Sequence, residues 1–306
     1  LNPATSIKII AKHGQISWHL FGDLRLVLHE LRPDIVHTHL FGGDLWGRVA
    51  AHQLGIPVVT TEHNINVDES FLKTFVKKCL RERTTRYVAV SEAIKNYMQQ
   101  VYHITWPISI IRNGIEFERF SRIPPITISS DSLVRFLMLG RLVKQKGHRV
   151  ALAALSELRN YPWQLRIVGD GEERGYIERL VRSHHLQDRV TIESATARVP
   201  EILAESEIFL MPSLWEGLGI AAMEAMAAGR LVIASDAGGL LELITHEKTG
   251  LLTPAGDVAA LRDTLRNLFL GKYQIQKVAE TGRRYAEEHF SIADMVRKYE
   301  AVYREF

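Results

Sequence analysis

Cysteine is almost absent: Cys79 is the one example in 306 residues. A lone thiol cannot close an internal disulfide, so the fold must rest on its core, and a reducing, cytoplasmic compartment is expected. Long apolar runs are missing too. None reaches the roughly 18–20 residues that a membrane-spanning helix needs, and the first residues lack the pattern of a secretory leader. Charge of one sign is scarce: the balance is only +3, too mild to announce a nucleic-acid-binding surface. No Gly-x-Gly-x-x-Gly opens a strand–helix turn, which argues against an NAD-dependent dehydrogenase. No Asp-x-Asp pair suits a metal-bound diphosphate. His37 and His39 share one face of a strand, but no acid or cysteine stands at zinc-site spacing from them, so no metal is expected. Short-period repeats and low-complexity tracts are also lacking.

What is present is an alternation of short β-branched runs with helical patterns, which predicts an α/β fold built on parallel sheets. The length suggests two domains, each doubly wound and Rossmann-like. In the first half, strands are expected at 6–11, 34–38, 57–61, 86–90 and 108–112. Helices are expected at 20–31, 44–54, 70–83 and 91–101, the last opened by Ser91 as an N-cap. Asn113-Gly114, Pro124-Pro125 and Ser129-Ser130-Asp131 then break the pattern. This places a first domain at 1–118 and a linker at 119–132. Strands resume at 135–139, 164–168, 190–193, 208–211, 231–234 and 250–252, with helices at 147–158, 173–184, 220–228, 258–270 and 274–288. That gives a second domain at 133–290 and a final helical segment at 291–306. A pair of such domains is expected to face a cleft at the carboxyl ends of the strands. The chain starts at Leu1 rather than Met, so it is expected to be a fragment or processed product.

Three segments carry chemistry. The run from Pro212 to Gly229 is a strand end, a loop with Gly217 and Gly219, and an apolar helix. Glycines there allow close approach of a ligand to helix-start amides, a geometry that suits phosphate. Glu216 precedes the helix and Glu224 lies inside it among Ala and Met residues. That helix reads as buried all round, and a buried carboxylate needs a partner. The second segment, Gly140-Arg141-Leu142-Val143-Lys144-Gln145-Lys146-Gly147, puts two cations five residues apart after a strand, where they can neutralise a diphosphate. The third, Val168-Gly169-Asp170-Gly171, is a tight turn; Asp170 there serves either a ligand or as a cap of the next helix. The bland alternative for all three is an ordinary strand–helix connection with solvated charges.

In this order the segments resemble the retaining family 4 glycosyltransferases of GT-B fold, the glycosyl transferases group 1, over nearly the whole chain. Pro212-Ser213 before the Glu-x7-Glu pair, Ser235-Asp236-Ala237-Gly238-Gly239…Glu242 after it, and Arg112-Asn113-Gly114-Ile115…Phe120 also match the family. The resemblance implies transfer of a sugar from a nucleoside-diphosphate sugar to a glycan or lipid-linked acceptor hydroxyl, as in polysaccharide or glycolipid synthesis, with no metal cofactor. It implies that Arg141 and Lys146 bind the donor diphosphate. Glu224 holds the ribose hydroxyls, and Glu216 with the amides of Gly217, Leu218 and Gly219 faces the donor sugar and phosphate. Gly140, Gly169 and Asp170 complete the donor-binding set. His63, in Thr61-Glu62-His63-Asn64, matches a family histidine beside the reacting carbon, so the implied catalytic set is His63, Glu216, Arg141 and Lys146. The last helix resembles one that crosses back to the first domain.

Two departures stand out. The glycine-rich loop that follows the family's first strand has no counterpart, which points to one or two missing strands at the start. Thr191-Ile192-Glu193-Ser194-Ala195 stands where a glycine is usual, and Arg230 replaces a usual proline, so the base stays open. A nucleotide-sugar epimerase on the same fold and a catalytically silent nucleotide-binding protein remain alternatives. The stretch 73–86 gathers Lys73, Lys77, Lys78, Arg81, Arg83 and Arg86, with Phe71, Leu72, Phe75, Val76 and Leu80 as an apolar side. Such a helix either covers a core or lies on an anionic membrane, here the inner face.

Overall fold

The computed structural model describes residues 6–10, 18–128 and 132–306. The chain divides into two compact units, Leu1–Ile111 with Lys298–Phe306, and Arg112–Arg297.

In the first unit the elements run α1 Trp18–Leu31, β1 Val36–His39, α2 Leu40–Gln53, β2 Val58–Glu62, α3 Phe71–Cys79, β3 Arg86–Ala89, α4 Glu92–Tyr102 and β4 Ile108–Ile110. The strands form one parallel sheet in the order β1-β2-β3-β4. β2 is buried over Val58–Thr61, as expected of a parallel strand covered on both faces. Ser91 caps α4 as anticipated, its Oγ accepting from Ile94 N at 3.1 Å. The register sets His39 opposite Thr61, so β1 and β2 end level with each other.

Two expectations for this unit fail. Residues 6–10 form no strand, with Ile7 and Ile9 exposed; Ala11 lies outside the described residues. Alternation of side chains is not enough where no neighbouring strand takes up the backbone groups. The second concerns α3. Lys77, expected on its basic outer side, is buried between Glu62 at 2.9 Å and Glu69 at 3.3 Å. Burial alone would lower its ammonium pKa, but Glu62, Glu69 and Asp44 outweigh burial and raise it. With Lys77 drawn inward by two carboxylates, Phe71, Leu72 and Phe75 turn outward and are 85%, 61% and 51% exposed. Of the apolar side, Leu80 is buried in the core and Val76 half-buried, while Phe71, Leu72 and Phe75 cover no core.

The second unit contains β5 Val134–Leu139, α5 His148–Ser156, β6 Trp163–Val168, α6 Arg174–Ser183, β7 Val190–Glu193, α7 Val199–Ala204, β8 Ile208–Met211, α8 Ile220–Ala227, β9 Leu231–Ser235, α9 Leu240–Leu243, β10 Leu251–Thr253, α10 Val258–Phe269, α11 Ile275–His289 and α12 Ile292–Tyr303. The final residues of α12, from Lys298 onward, belong to the first unit. α7 and α9 were not anticipated: six and four residues are too few to show a helical period. The sheet is parallel in the order β10-β9-β8-β5-β6-β7. Its core includes Phe136, Leu152, Leu155, Trp163, Leu165, Ile208 and Leu265. Ser129-Ser130-Asp131 of the expected linker lies outside the described residues.

α8 is not buried all round. Ala222, Met223, Ala225, Met226 and Ala227 are buried, whereas Ile220, Ala221 and Glu224 share a face that stays partly open. Uniform apolarity hides the one side that neither the sheet nor α11 covers.

Candidate active site

β5 and β8 lie side by side, yet the strands that follow them build opposite halves of the sheet: β6 and β7 on one side, β9 and β10 on the other. The carboxyl ends of strands at such a switch point are where open parallel sheets receive ligands. The loop after β5 carries Gly140, Arg141 and Lys146, and the loop after β8 carries Pro212 to Gly219.

These two loops are fastened to one another. Leu214 N donates to Gln145 O at 2.7 Å, and Gln145 Nε2 donates to Trp215 O at 2.9 Å. Lys146 Nζ donates to Glu216 Oε2 at 2.7 Å, and Ser213 Oγ reaches the same oxygen at 3.4 Å. Gly147 makes the approach possible: at φ +66° a Cβ there would sit 1.8 Å from Pro212 O. The Lys146 and Glu216 side chains are 17% and 10% exposed, so the pair is largely desolvated and costly to break.

A third loop, after β6, joins this arrangement. A Cβ on Gly169 would meet Gly140 O at 1.8 Å, and Leu142 N donates to Asp170 O at 2.9 Å. Asp170 Oδ2 accepts from Ala195 N at 2.9 Å. Asp170 thus braces two loops and does not cap α6, which has no side-chain cap.

α8 begins after Gly219, at φ +96°, again without a side-chain cap. An uncapped helix start presents amides and the positive end of the helix dipole. Leu218 is buried beneath it. Glu224 is half-buried; burial raises its carboxyl pKa and the charge of Arg119 opposes the rise. Among the described residues no side-chain hydrogen bond or ion pair ties Glu224 or the exposed Arg141. Lys146 and Glu216 are therefore brought together directly, while Arg141 is exposed and Glu224 half-buried without a side-chain partner among the described residues. Behind Lys146, His148 is 4% exposed with its Nδ1 unpartnered among the described residues. Burial, and then the Lys146 charge, lower its pKa to about 4.

In the first unit three imidazoles form a row where β1 and β2 end. His39 Nδ1 lies 2.8 Å from His63 Nε2, and the His37 and His39 rings are 4.1 Å apart. His37 spends both nitrogens inside the protein, on Tyr303 OH at 2.6 Å and Thr61 Oγ1 at 2.8 Å. Among the described residues no three His, Cys, Asp or Glu side chains are arranged to hold a metal ion. Burial, then the neighbouring His39, lower the His63 pKa to about 4.

A family model described as glycosyl transferases group 1 matches residues 123–287, and one described as glycosyltransferase family 4 matches residues 5–119. The chain belongs to the group 1 glycosyltransferases. It is 30% identical over 266 residues to the UDP-Gal:alpha-D-GlcNAc-diphosphoundecaprenol alpha-1,3-galactosyltransferase of Escherichia coli, covering 78% of this chain and 67% of that protein. Solved structures of similar fold include sucrose-phosphate synthase from Thermosynechococcus elongatus, with TM-score 0.84, 22% identity and coverage of 93% and 76% of the two chains. Anabaena HepE in complex with UDP and glucose gives TM-score 0.85, 20% identity and coverage of 94% and 81%. The fold is GT-B, and the protein is an enzyme of the glycosyl-transferring class.

Within each unit, residues beside the expected segments carry contacts that the sequence does not announce. Gln145 sat unremarked between two lysines, although it clamps the facing loop. Ser213 stands in sequence only as part of the Pro212-Ser213 motif, yet its hydroxyl supports Glu216. His39 was weighed only as a metal ligand. Its pairing with His63 follows only from the register of β1 against β2, whose ends lie within one residue of each other.

Proposed function

We propose that this glycosyltransferase moves a sugar from a nucleoside-diphosphate donor, UDP-linked by preference, to a glycan or lipid-linked acceptor hydroxyl, with retention of anomeric configuration. The observation that carries this reading is the Lys146–Glu216 closure at the switch point, beside the uncapped start of α8. Lys146, Arg141 and the amides of Gly217, Leu218 and Gly219 receive the diphosphate. Each charged hydrogen bond contributes about 1.5–3 kcal/mol, and more as charge grows on the leaving group. Glu216 faces the sugar, Glu224 holds the ribose hydroxyls, and Gly140, Gly169 and Asp170 shape the loops around the donor. His63 keeps the sugar-contacting role that the family resemblance gives it. The bond from the anomeric carbon to the diphosphate breaks, and the acceptor oxygen bonds to the same face. The acceptor proton passes to the departing phosphate, so no protein nucleophile takes part. With cations and helix amides to neutralise the leaving charge, the reaction needs no metal ion.

The name of the Escherichia coli relative, with its UDP-sugar and lipid-diphosphate substrates, and the UDP held by HepE support the choice of donor and acceptor class. No helix of the described residues is long and apolar enough to cross a membrane. The outward Phe71, Leu72 and Phe75, with Lys73 and Lys78 on the same helix, support peripheral contact with an anionic bilayer at its cytoplasmic face.

The test is incubation of the purified protein with UDP-, GDP- and ADP-sugars and a panel of glycan and polyprenyl-linked acceptors, followed by NMR of the product. A product with the donor's anomeric configuration, formed equally in EDTA, is expected. An inverted product overturns retention. Epimerised donor, or nucleotide binding without transfer or hydrolysis, overturns the transferase reading.

A further inference from the structure

We propose that His39 is a positioning residue that fixes the ring orientation and tautomer of His63, and so decides which kind of hydrogen bond His63 offers to the donor sugar. The proposal rests on the reading of His63 as a sugar-contacting residue.

The geometry begins with the sheet. β1 and β2 are parallel neighbours with His39 opposite Thr61, so the backbone leaving β2 brings His63 beside His39. The two rings meet nitrogen to nitrogen, His39 Nδ1 to His63 Nε2 at 2.8 Å, with centroids 5.1 Å apart. A contact of that length holds one proton. If His39 donates from Nδ1, His63 accepts at Nε2 and must carry its own proton on Nδ1. If His63 donates from Nε2, His39 must carry its proton on Nε2. The two neutral rings therefore share one tautomer, and the atom of His63 left for substrate is Nδ1, as a donor in the first case and an acceptor in the second.

His39 can impose this because it is itself held from behind. The His37 ring lies against it, with centroids 4.1 Å apart and planes tilted by 43°, and His37 is anchored at both nitrogens by Tyr303 and Thr61. Tyr299 lies 5.4 Å from the His37 ring and bonds Thr61 through its hydroxyl at 3.2 Å. The charges that act on this pair are those of Asp44 on His39 and of His39 on His63. Asp44 favours a charged His39 but burial outweighs it, burial and the His39 charge disfavour a charged His63, and burial with the charges of His39 and His63 disfavours a charged His37. The row is thus neutral near pH 7, the condition in which tautomer choice is meaningful.

The experiment labels the protein with 15N-histidine and reads the ring nitrogen shifts of His39 and His63, alongside kcat and donor KM, in wild type, His39→Phe, His39→Asn and His63→Ala. Wild type should show the same tautomer in both rings. His39→Phe keeps a planar ring but no nitrogen; it should leave His63 in mixed tautomers and lower kcat about ten- to a hundred-fold, the scale for a misplaced reacting group, with donor KM changed little. His39→Asn restores a hydrogen-bonding group and should recover most of both readouts. Opposite tautomers in wild type, or an unchanged His63 spectrum in His39→Phe, overturn the proposal. So does a wild-type kcat in His39→Phe once the His63 spectrum has shifted. Undiminished turnover in His63→Ala instead removes His63 from the reaction, and the tautomer measurement still decides whether His39 sets its ring.

Discussion

Replacing Lys146 by Met separates two consequences of one ion pair. The substitution keeps a flexible stem of similar volume and leaves the Glu216 carboxylate 10% exposed, with Ser213 at 3.4 Å as its remaining side-chain partner. Removing one member of a buried pair costs about 3–5 kcal/mol. Here Lys146 is 17% exposed and water can reach the vacated side, so about 2–3 kcal/mol is the expected loss. For a unit of this size that lowers the midpoint of thermal unfolding by about 5–10 °C. Adding Glu216→Gln removes the stranded charge, so the double variant should return to within about 1 kcal/mol of wild type. Turnover should not return: both variants should fall at least about 100-fold, equivalent to about 2.7 kcal/mol of lost transition-state stabilisation. Urea denaturation and transfer assays on the four proteins of the cycle give all the numbers needed. A single variant as stable as wild type, or a double variant no more stable than the single, refutes the account of the pair. Undiminished turnover in Lys146→Met refutes its place in the reaction.

Arg141→Ala should behave differently, because that side chain is exposed and bonded to no other described residue. Its melting temperature should stay within about 2 °C of wild type while turnover drops at least about 100-fold; a large loss of stability would contradict its exposed setting. His148 makes stability depend on pH. Its folded pKa, about 4, lies below the ordinary 6.5, so the unfolded chain takes up the proton first and stability is lost as pH falls from about 6.5 to about 4. At 1.36 kcal/mol per unit the loss reaches about 3 kcal/mol, and His148→Leu should retain more of its neutral-pH stability at pH 4.5 than wild type does. Equal losses in the two proteins would count against it. Phe71→Ser combined with Phe75→Ser should weaken sedimentation with phosphatidylglycerol vesicles at least about tenfold, since each buried Phe is worth about 1.5–3 kcal/mol. Unchanged sedimentation would remove α3 from the membrane contact.

The order of strands and helices was legible along the chain because parallel strands covered on both faces read as short apolar runs, and helices keep their period. Elements failed to show where periodicity had no room, as in α7 and α9. The segment 6–10 shows the converse, a strand-like pattern with no neighbour to complete it. The donor-binding segments were legible for a similar reason: glycines, cations and acids at strand ends are local features, and their order carried the family resemblance.

Which of those residues touch is another matter. Lys146 and Glu216 are 70 positions apart, and only the adjacency of β5 and β8 makes them a pair. The inward turn of Lys77 depended on two carboxylates, from the end of β2 and the loop after it, that a helical wheel of α3 cannot include. The histidine row likewise needed the register of β1 against β2 and the tyrosines of α12. Sequence determined the elements and the chemistry each one ends in, because those follow from neighbours along the chain. Strand order and burial decided the pairings, because a charge or an imidazole responds to whatever lies within a few ångströms of it, however distant in sequence.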